Sequence, residues 1–244
     1  MATEAPGAAL DEPQVRAMFD RIAGLYDRMN TVMTAGLHHE WRRRATDLAQ
    51  LSPGGRALDV ATGTGDLAFE LAARVGVGGE VVGVDFSERM LELARAKADA
   101  RVAGLGGGRL SFETGNALAL AYADDEFDAA TVGFGARNFS DLGRGLAEMA
   151  RVVRPGGRVV VLEITTPRRP PLSTFFDVWF DHIVPALGRL VDSQAYSYLP
   201  SSVRRFPGPE ELAAHMWTSG LREIRYVLTA GGIIALHVGS VPTR

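Results

Sequence analysis

Arg56-Ala-Leu-Asp-Val-Ala-Thr-Gly-Thr-Gly-Asp-Leu-Ala68 is a short apolar run that breaks into paired glycines and restarts as a helical pattern. It reads as a strand, a tight turn and a helix N-terminus. Gly63 and Gly65 remove the Cβ atoms that would hold a ligand away from the backbone, and the first amides of the following helix point at the same space. The turn alone promises a flat or extended ligand of nucleoside size.

Downstream of the turn, strands and helices alternate. The patterns predict strands over Ala57–Val60, Glu80–Asp85, Arg109–Glu113, Phe127–Phe134 and Arg158–Ile164, with helices over Asp66–Val75, Ser87–Ala103 and Asp141–Val153 between them. That order implies an α/β fold, a Rossmann-like doubly wound sheet, mostly parallel, with right-handed crossovers and ligands bound beyond the carboxyl ends of the strands. Upstream, Pro13–Gln50 carries apolar residues at three- and four-residue steps and reads as a helical lid, with capping residues at Asn30-Thr31. After Pro170-Pro171, Leu172–Val191 reads as an apolar, aromatic helical insert. A helix over Glu210–Ser219 and strands over Leu221–Leu228 and Ile233–Val238, separated by Gly231-Gly232, close the chain as an antiparallel hairpin, bringing the sheet to seven strands. The expected organisation is one domain: a flexible tail (1–12), the lid (13–51), a ligand-binding core (52–166), the insert (167–207) and the closing helix and hairpin (208–244).

Bulk properties narrow the function. The chain has 244 residues, 46% hydrophobic and 23% charged, enough for one elaborated domain with a substantial core. A net charge of −3 supplies no field to recruit nucleic acid. With no cysteine, disulfides, thiolate catalysis and thiolate zinc sites are excluded. The five histidines show no metal-binding spacing, and adjacent His38 and His39 would diverge on a helix, so no metal is expected. The N-terminal residues lack a signal peptide's basic start and apolar core, and no later window approaches a membrane span. These features point to the cytoplasm.

Charge at the turn separates two ligand classes. Gly63-Thr-Gly65-Asp-Leu-Ala68 satisfies a loose dinucleotide fingerprint, and Asp85 stands 20 residues beyond Gly65, where a carboxylate reaches ribose hydroxyls. Asp59 and Asp66, however, flank the place where a pyrophosphate would sit, and like charges in a partly desolvated site repel by several kcal/mol. A nucleoside with no phosphate and a positive group reverses that sign, and S-adenosyl-L-methionine has these features. Asp66 reads equally as a helix first-turn carboxylate. Asn116, just after the third strand, reads either as an adenine contact or as a turn asparagine.

Taken together, these residues carry a resemblance. Phe19-x-x-Ile-Ala-x-x-Tyr-Asp-x-Met-Asn30, Gly36-Leu-His38 with Trp41-Arg42, the glycine turn, Gly115-Asn-Ala117, Gly133-Phe-Gly-Ala-Arg-Asn138, Arg154-Pro-Gly-Gly157, Ala195-Tyr-Ser-Tyr-Leu199 and Ala235-Leu-His237 extend over nearly the whole chain. The sequence resembles the class I S-adenosylmethionine-dependent C-methyltransferases of ubiquinone and menaquinone biosynthesis. The resemblance implies that Thr64, Asp85, Asn116 and Ala117 contact the cofactor, together with Asp59, Gly63, Gly65 and Phe86 of the same rim. Gly133 stands where relatives commonly have a serine; it is counted with this set, without a side-chain contact.

The same resemblance implies a prenylated quinol as substrate, either a naphthoquinol (demethylmenaquinol) or the ubiquinone-pathway benzoquinol, with Arg137, Asn138 and Tyr26 facing it. Methylation at carbon needs an electron-rich ring, hence the reduced quinol. Arg137 is expected to stabilise the developing phenolate. It is too basic to take the ring proton, so a water relay or His38 is the candidate acceptor. The lesser alternative for Arg137 is an anchor for the helix starting near Asp141. The insert reads as a prenyl tunnel, a face touching the bilayer with Arg168-Arg169 and Arg204-Arg205 toward anionic headgroups at the inner face of the membrane, or plain core or a homodimer interface. Within the same fold another phenolic or polyketide-like acceptor is the alternative, and a nicotinamide-dependent oxidoreductase or a non-catalytic regulator is the alternative outside it.

Overall fold

A computed structural model describes residues 11–101, 108–184 and 192–243. Seven strands, β1 (Arg56–Val60), β2 (Glu80–Asp85), β3 (Arg109–Thr114), β4 (Phe127–Gly133), β5 (Val153–Ile164), β6 (Arg222–Thr229) and β7 (Ile234–Ser240), form one sheet in the order β3-β2-β1-β4-β5-β7-β6. Pairings from β3 through β5 are parallel, and β7 runs antiparallel to both β5 and β6. Strand order reverses between β1 and β4, so the crevice for a ligand opens at their carboxyl ends.

The central strands are apolar on both faces because helices cover both. Leu58, Val60, Val82, Val84, Ala130 and Val132 pack toward α5 (Leu142–Val152) and α8 (Pro209–Thr218). Ala57, Val81 and Ala129 pack with α2 (Leu37–Ala49), α3 (Asp66–Val75) and α4 (Glu88–Arg101) on the other side.

β5 begins five residues earlier than the sequence pattern predicts, at Val153. A register shift against β4 between Phe127 and Ala129 absorbs Pro155-Gly-Gly157, and Gly156 takes the left-handed conformation that the turn requires (φ +81°).

The N-terminal region is two helices, α1 (Glu12–Thr34) and α2, broken where Ala35 and Gly36 adopt φ +48° and +78°. Asp11 caps α1 in a reciprocal box with Gln14. No cap forms at Asn30-Thr31: α1 runs on to Thr34, and the Thr31 hydroxyl donates back to the Asp27 carbonyl (2.9 Å). The insert is not one straight helix. After α6 (Leu172–Val178) the turns widen over Trp179–Ile183, with Phe176 stacked on Phe180 at 4.2 Å between ring centroids. α7 spans Ser193–Arg205. Val15 and Met18 of α1 pack against Val184, Ala195 and Tyr198, so lid and insert form one roof over the carboxyl edge of the sheet. Residues 1–10 of the N-terminal tail, the end of the helix predicted to Ala103 with residues 104–107, and residues 185–191 of the insert lie outside the described residues.

Candidate active site

Two chambers meet beneath the roof. The first, about 510 Å³, is lined by Asp59, Gly63, Thr64, Asp85, Phe86, Asn116, Ala117, Gly133 and Asn138. Gly63 has φ +57° and nothing within 4 Å of the position a Cβ would take, so its backbone is open to a ligand. Gly65 acts differently from the sequence expectation: it does not line the chamber, and a Cβ there would meet the Phe112 ring at 2.8 Å. Its missing side chain lets the helix close on the sheet rather than admitting a ligand.

Each carboxylate of the turn has its own environment. Asp59 is buried, accepts hydrogen bonds from Thr62 (2.6 Å) and Thr131 (2.7 Å), and is pushed up to about 6 by burial. Asp85 accepts from the Gly63 and Ser87 amides (2.8 and 2.9 Å), and burial pushes it up to about 6 as well. Asp66 is different. Burial alone would raise it, but Arg42 and Lys97 outweigh burial and hold it below the ordinary carboxylate range. With Lys97 at 2.9 Å and Arg42 at 3.6 Å, its charge is compensated, so the negative field of the turn comes from Asp59 and Asp85. The Thr64 hydroxyl is engaged too, donating to Asp27 (2.6 Å) while Lys97 donates to it (2.9 Å). Only its backbone is left for a ligand. Asn116 uses Oδ1 to accept the Leu118 amide (2.8 Å), forming the expected turn and leaving its NH2 on the chamber rim.

The second chamber, about 340 Å³, is apolar, with Met18, Met29, Met33, Trp41, Phe176 and Trp179 in its wall. Arg137 and His38 open onto it. Arg137 does not anchor the helix near Asp141; it pairs with Glu163 at 2.8 Å, both side chains buried, and donates to the Phe134 carbonyl. Asp141 instead caps α5 through the Arg144 amide (2.9 Å). Burial would lower Arg137, but Glu163 raises it above the ordinary value, so it stays charged. Its Nε has no partner among the described residues. Asn138 faces the first chamber and accepts at Oδ1 from the Tyr198 hydroxyl (3.0 Å), which lines the second.

His38 is held at both nitrogens, by Arg42 at Nδ1 and by Thr31 at Nε2 (3.2 Å). Burial first, then Arg42 and His39, lower it to about 4, so its ring is neutral at physiological pH. The two histidine rings do not diverge: exposed His39 swings over buried His38, with centroids 4.0 Å apart.

Phe19, Tyr26, Arg42 and Phe134 line both chambers and form the wall between them. Phe134 adopts φ +60°, a conformation that costs an aromatic residue about 1–2 kcal/mol and is retained where surrounding structure over-determines it. Trp41 meets its ring edge-on (6.3 Å) and the Arg42 guanidinium lies 5.6 Å from its centroid. Sequence reasoning gave a site role to Tyr26 alone among these four, the others standing only inside quoted motifs. It missed Glu163 as well, although a carboxylate inside Val159-Val-Val-Leu-Glu-Ile164 is a signal that a buried partner exists.

A carboxylate-lined chamber at the switch point of a seven-stranded sheet, sharing a wall with an apolar chamber, is the arrangement of an S-adenosylmethionine-dependent methyltransferase of the Rossmann-like class. The model of the ubiE/COQ5 methyltransferase family matches residues 8–241, and the chain belongs to that family. The demethylmenaquinone methyltransferase of Thermus thermophilus is 46% identical over 227 residues, covering 92% of this chain and 100% of that one. The ubiquinone/menaquinone biosynthesis C-methyltransferase UbiE of Geobacter sulfurreducens is 42% identical, covering 93% and 88%. Among solved structures, the cyclase SpnF superposes with a TM-score of 0.70 at 18% identity over 99% of this chain and all of the other. That likeness concerns the fold alone, and a cyclase on it shows why substrate must be argued from the site.

Proposed function

We infer that the protein methylates a ring carbon of a prenylated, reduced quinone precursor, with demethylmenaquinol the first substrate and the ubiquinone-pathway benzoquinol the second. The observation that carries this is the shared wall: a polar nucleoside chamber and an apolar chamber meet at Phe19, Tyr26, Arg42 and Phe134. S-adenosylmethionine, when bound, supplies an electrophilic methyl group. Gly63, Thr64, Asp85, Phe86, Asn116 and Ala117 would hold it: open backbone at Gly63 and two ionised carboxylates suit a ligand with positive charge.

The chain's own residues set up the acceptor. Aromatic and methionine side chains hold the ring and tail near the wall, which contributes by proximity. Arg137 donates toward the oxygen next to the reacting carbon, where charge develops. His38, neutral and bonded at both nitrogens, shapes the chamber, and the ring proton leaves to water. Purified protein with labelled S-adenosylmethionine should methylate demethylmenaquinol kept reduced and leave the oxidised quinone untouched. Cofactor binding without transfer to either quinol would give the site to another phenolic acceptor.

Asp85 gives cofactor affinity a pH dependence. Ribose hydroxyls donate to its ionised form, and without ligand the carboxyl protonates at about 6 rather than at the ordinary 3.8. Falling pH therefore favours the ligand-free protein, which gains from this protonation between about 6 and 4, and disfavours binding. Affinity for S-adenosylmethionine is expected to be flat above pH 6 and to fall toward roughly tenfold per unit below it. Calorimetry from pH 5 to 8 checks this, and Asp85→Asn should make the profile shallower, leaving the part that Asp59 contributes.

No helix among the described residues is long and apolar enough to cross a membrane. Exposed Leu25, Leu37 and Phe175 line the apolar chamber, and Val32 and Val178 are exposed on the same helices. Arg168 pairs with Glu210 (2.5 Å) and Arg204 with Asp177 (3.7 Å). Contact with the inner face of the cytoplasmic membrane would therefore rest on the apolar side chains more than on the arginines. Flotation with anionic and zwitterionic vesicles should be similar; no association with either would remove the membrane role.

A further inference from the structure

We propose that Arg42 receives the α-carboxylate of the cofactor's amino-acid arm, which makes it the residue that distinguishes the intact cofactor from a decarboxylated one. The assignment rests on the cofactor reading above and follows from which cations at the first chamber have hydrogen bonds left to give. S-adenosylmethionine carries two positive groups and one carboxylate. Asp59 answers the positive groups and Asp85 the ribose, so the chamber needs one donor for the anion.

Among the described residues its lining includes two cations, Arg16 and Arg42. Arg16 is exposed on α1, and its charge acts on Glu88 at the start of α4, after the Thr114 hydrogen bond and Arg95. Exposed to water, it has no unmet hydrogen bonds that a bound anion would have to satisfy. Lys97 reaches the turn but is saturated: its ammonium donates to Thr64 (2.9 Å) and Asp66 (2.9 Å) and pairs with Asp27 (2.6 Å), which takes all three N–H groups.

Arg42 is differently placed. Its side chain is 7% exposed and stands in the wall of both chambers, 3.6 Å from Asp66 at the first turn of α3. Nη1 is engaged with His38. Nε and the Nη2 amino group donate to no acceptor among the described residues, yet neither is sealed from solvent-sized space. A buried guanidinium with unpaired N–H groups facing a cavity is poorly solvated, and a planar carboxylate fits its fork with two parallel bonds. Lys97 assists by sharing Asp66, which leaves Arg42 less than fully compensated.

Titration calorimetry with S-adenosylmethionine and its decarboxylated analogue tests the assignment without reference to turnover. Wild-type protein should prefer the intact cofactor by about 10- to 100-fold, the range of a charge-assisted bidentate contact. Arg42→Gln should lose that preference by weakening only the intact cofactor, to the level of the analogue. Arg42→Lys, which keeps a cation in the packed wall and guards against misfolding in the glutamine variant, should lose less of the same preference. Equal weakening of both ligands in the variants, or a preference that survives Arg42→Gln, overturns the assignment while leaving the cofactor reading intact. Wild-type protein that binds neither ligand overturns both.

Discussion

Glu163→Ala is expected to lower the unfolding free energy by about 3–5 kcal/mol, the cost of leaving a buried charge without its partner. Glu163 is 1% exposed and Arg137 7%, and their 2.8 Å contact holds the guanidinium charged at a place where water cannot replace the carboxylate. The same carboxylate accepts the Ile164 amide (2.9 Å) and the Arg137 amide (3.3 Å), so alanine also strands two backbone donors. An exposed pair such as Arg89–Glu92, at more than half exposure on both sides, is the control: its disruption should cost under about 1 kcal/mol. A double replacement, Arg137→Met with Glu163→Leu, should recover most of the stability, because it removes both desolvation penalties along with the attraction. Urea unfolding of the four proteins reads this directly. If Glu163→Ala costs no more than the surface control, the pair is wetter than its burial indicates and its role in the site falls with it.

The local chemistry of this chain was legible in its sequence, and distant pairing was not. The turn after β1, the carboxylate at the end of β2 and the alternation of strands and helices depend on neighbours within a few residues, and β2 and α3 stand where the pattern puts them. Arg137–Glu163 and Asp27–Lys97 join residues 26 and 70 positions apart, and only the approach of β5 to β4 and of α1 to α4 makes them partners. The same holds for Gly65. Two glycines in one turn look interchangeable as letters, but Phe112, from a strand more than forty residues later, fills the space beside one and leaves the other open. The break inside the lid was misplaced for a local reason: Asn30-Thr31 has good capping chemistry, yet the backbone breaks at Ala35-Gly36, where glycine takes φ +78°. The wall between the chambers combines both problems. Phe134 and Arg42 were visible within selective motifs, but that they stand between two cavities is a property of the packed roof.

Arg137→Met should lower kcat for quinol methylation by about 10²–10³ while changing S-adenosylmethionine affinity less than twofold. The magnitude follows from the Glu163 pair. An isolated buried cation would act on a phenolate with its full charge, but here the carboxylate 2.8 Å away cancels most of the long-range field. What remains is a fixed, correctly polarised donor, and removing one such donor at a developing oxyanion costs about 2.7–4 kcal/mol. Met is chosen because it fills the space beside Tyr198 and Phe134 without a charge, although Glu163 then needs the companion Glu163→Gln to stay folded. The pH profile separates a catalytic donor from a structural prop. With Arg137 in place, the substrate hydroxyl need not be ionised beforehand, so kcat should vary little near neutral pH. Without it, the rate should depend on phenolate formed in solution and climb toward tenfold per pH unit, so that alkaline conditions partly rescue the variant. A uniform loss at every pH would mark Arg137 as a packing residue, and a folded variant retaining a third of the wild-type kcat would end its assignment to the reaction altogether.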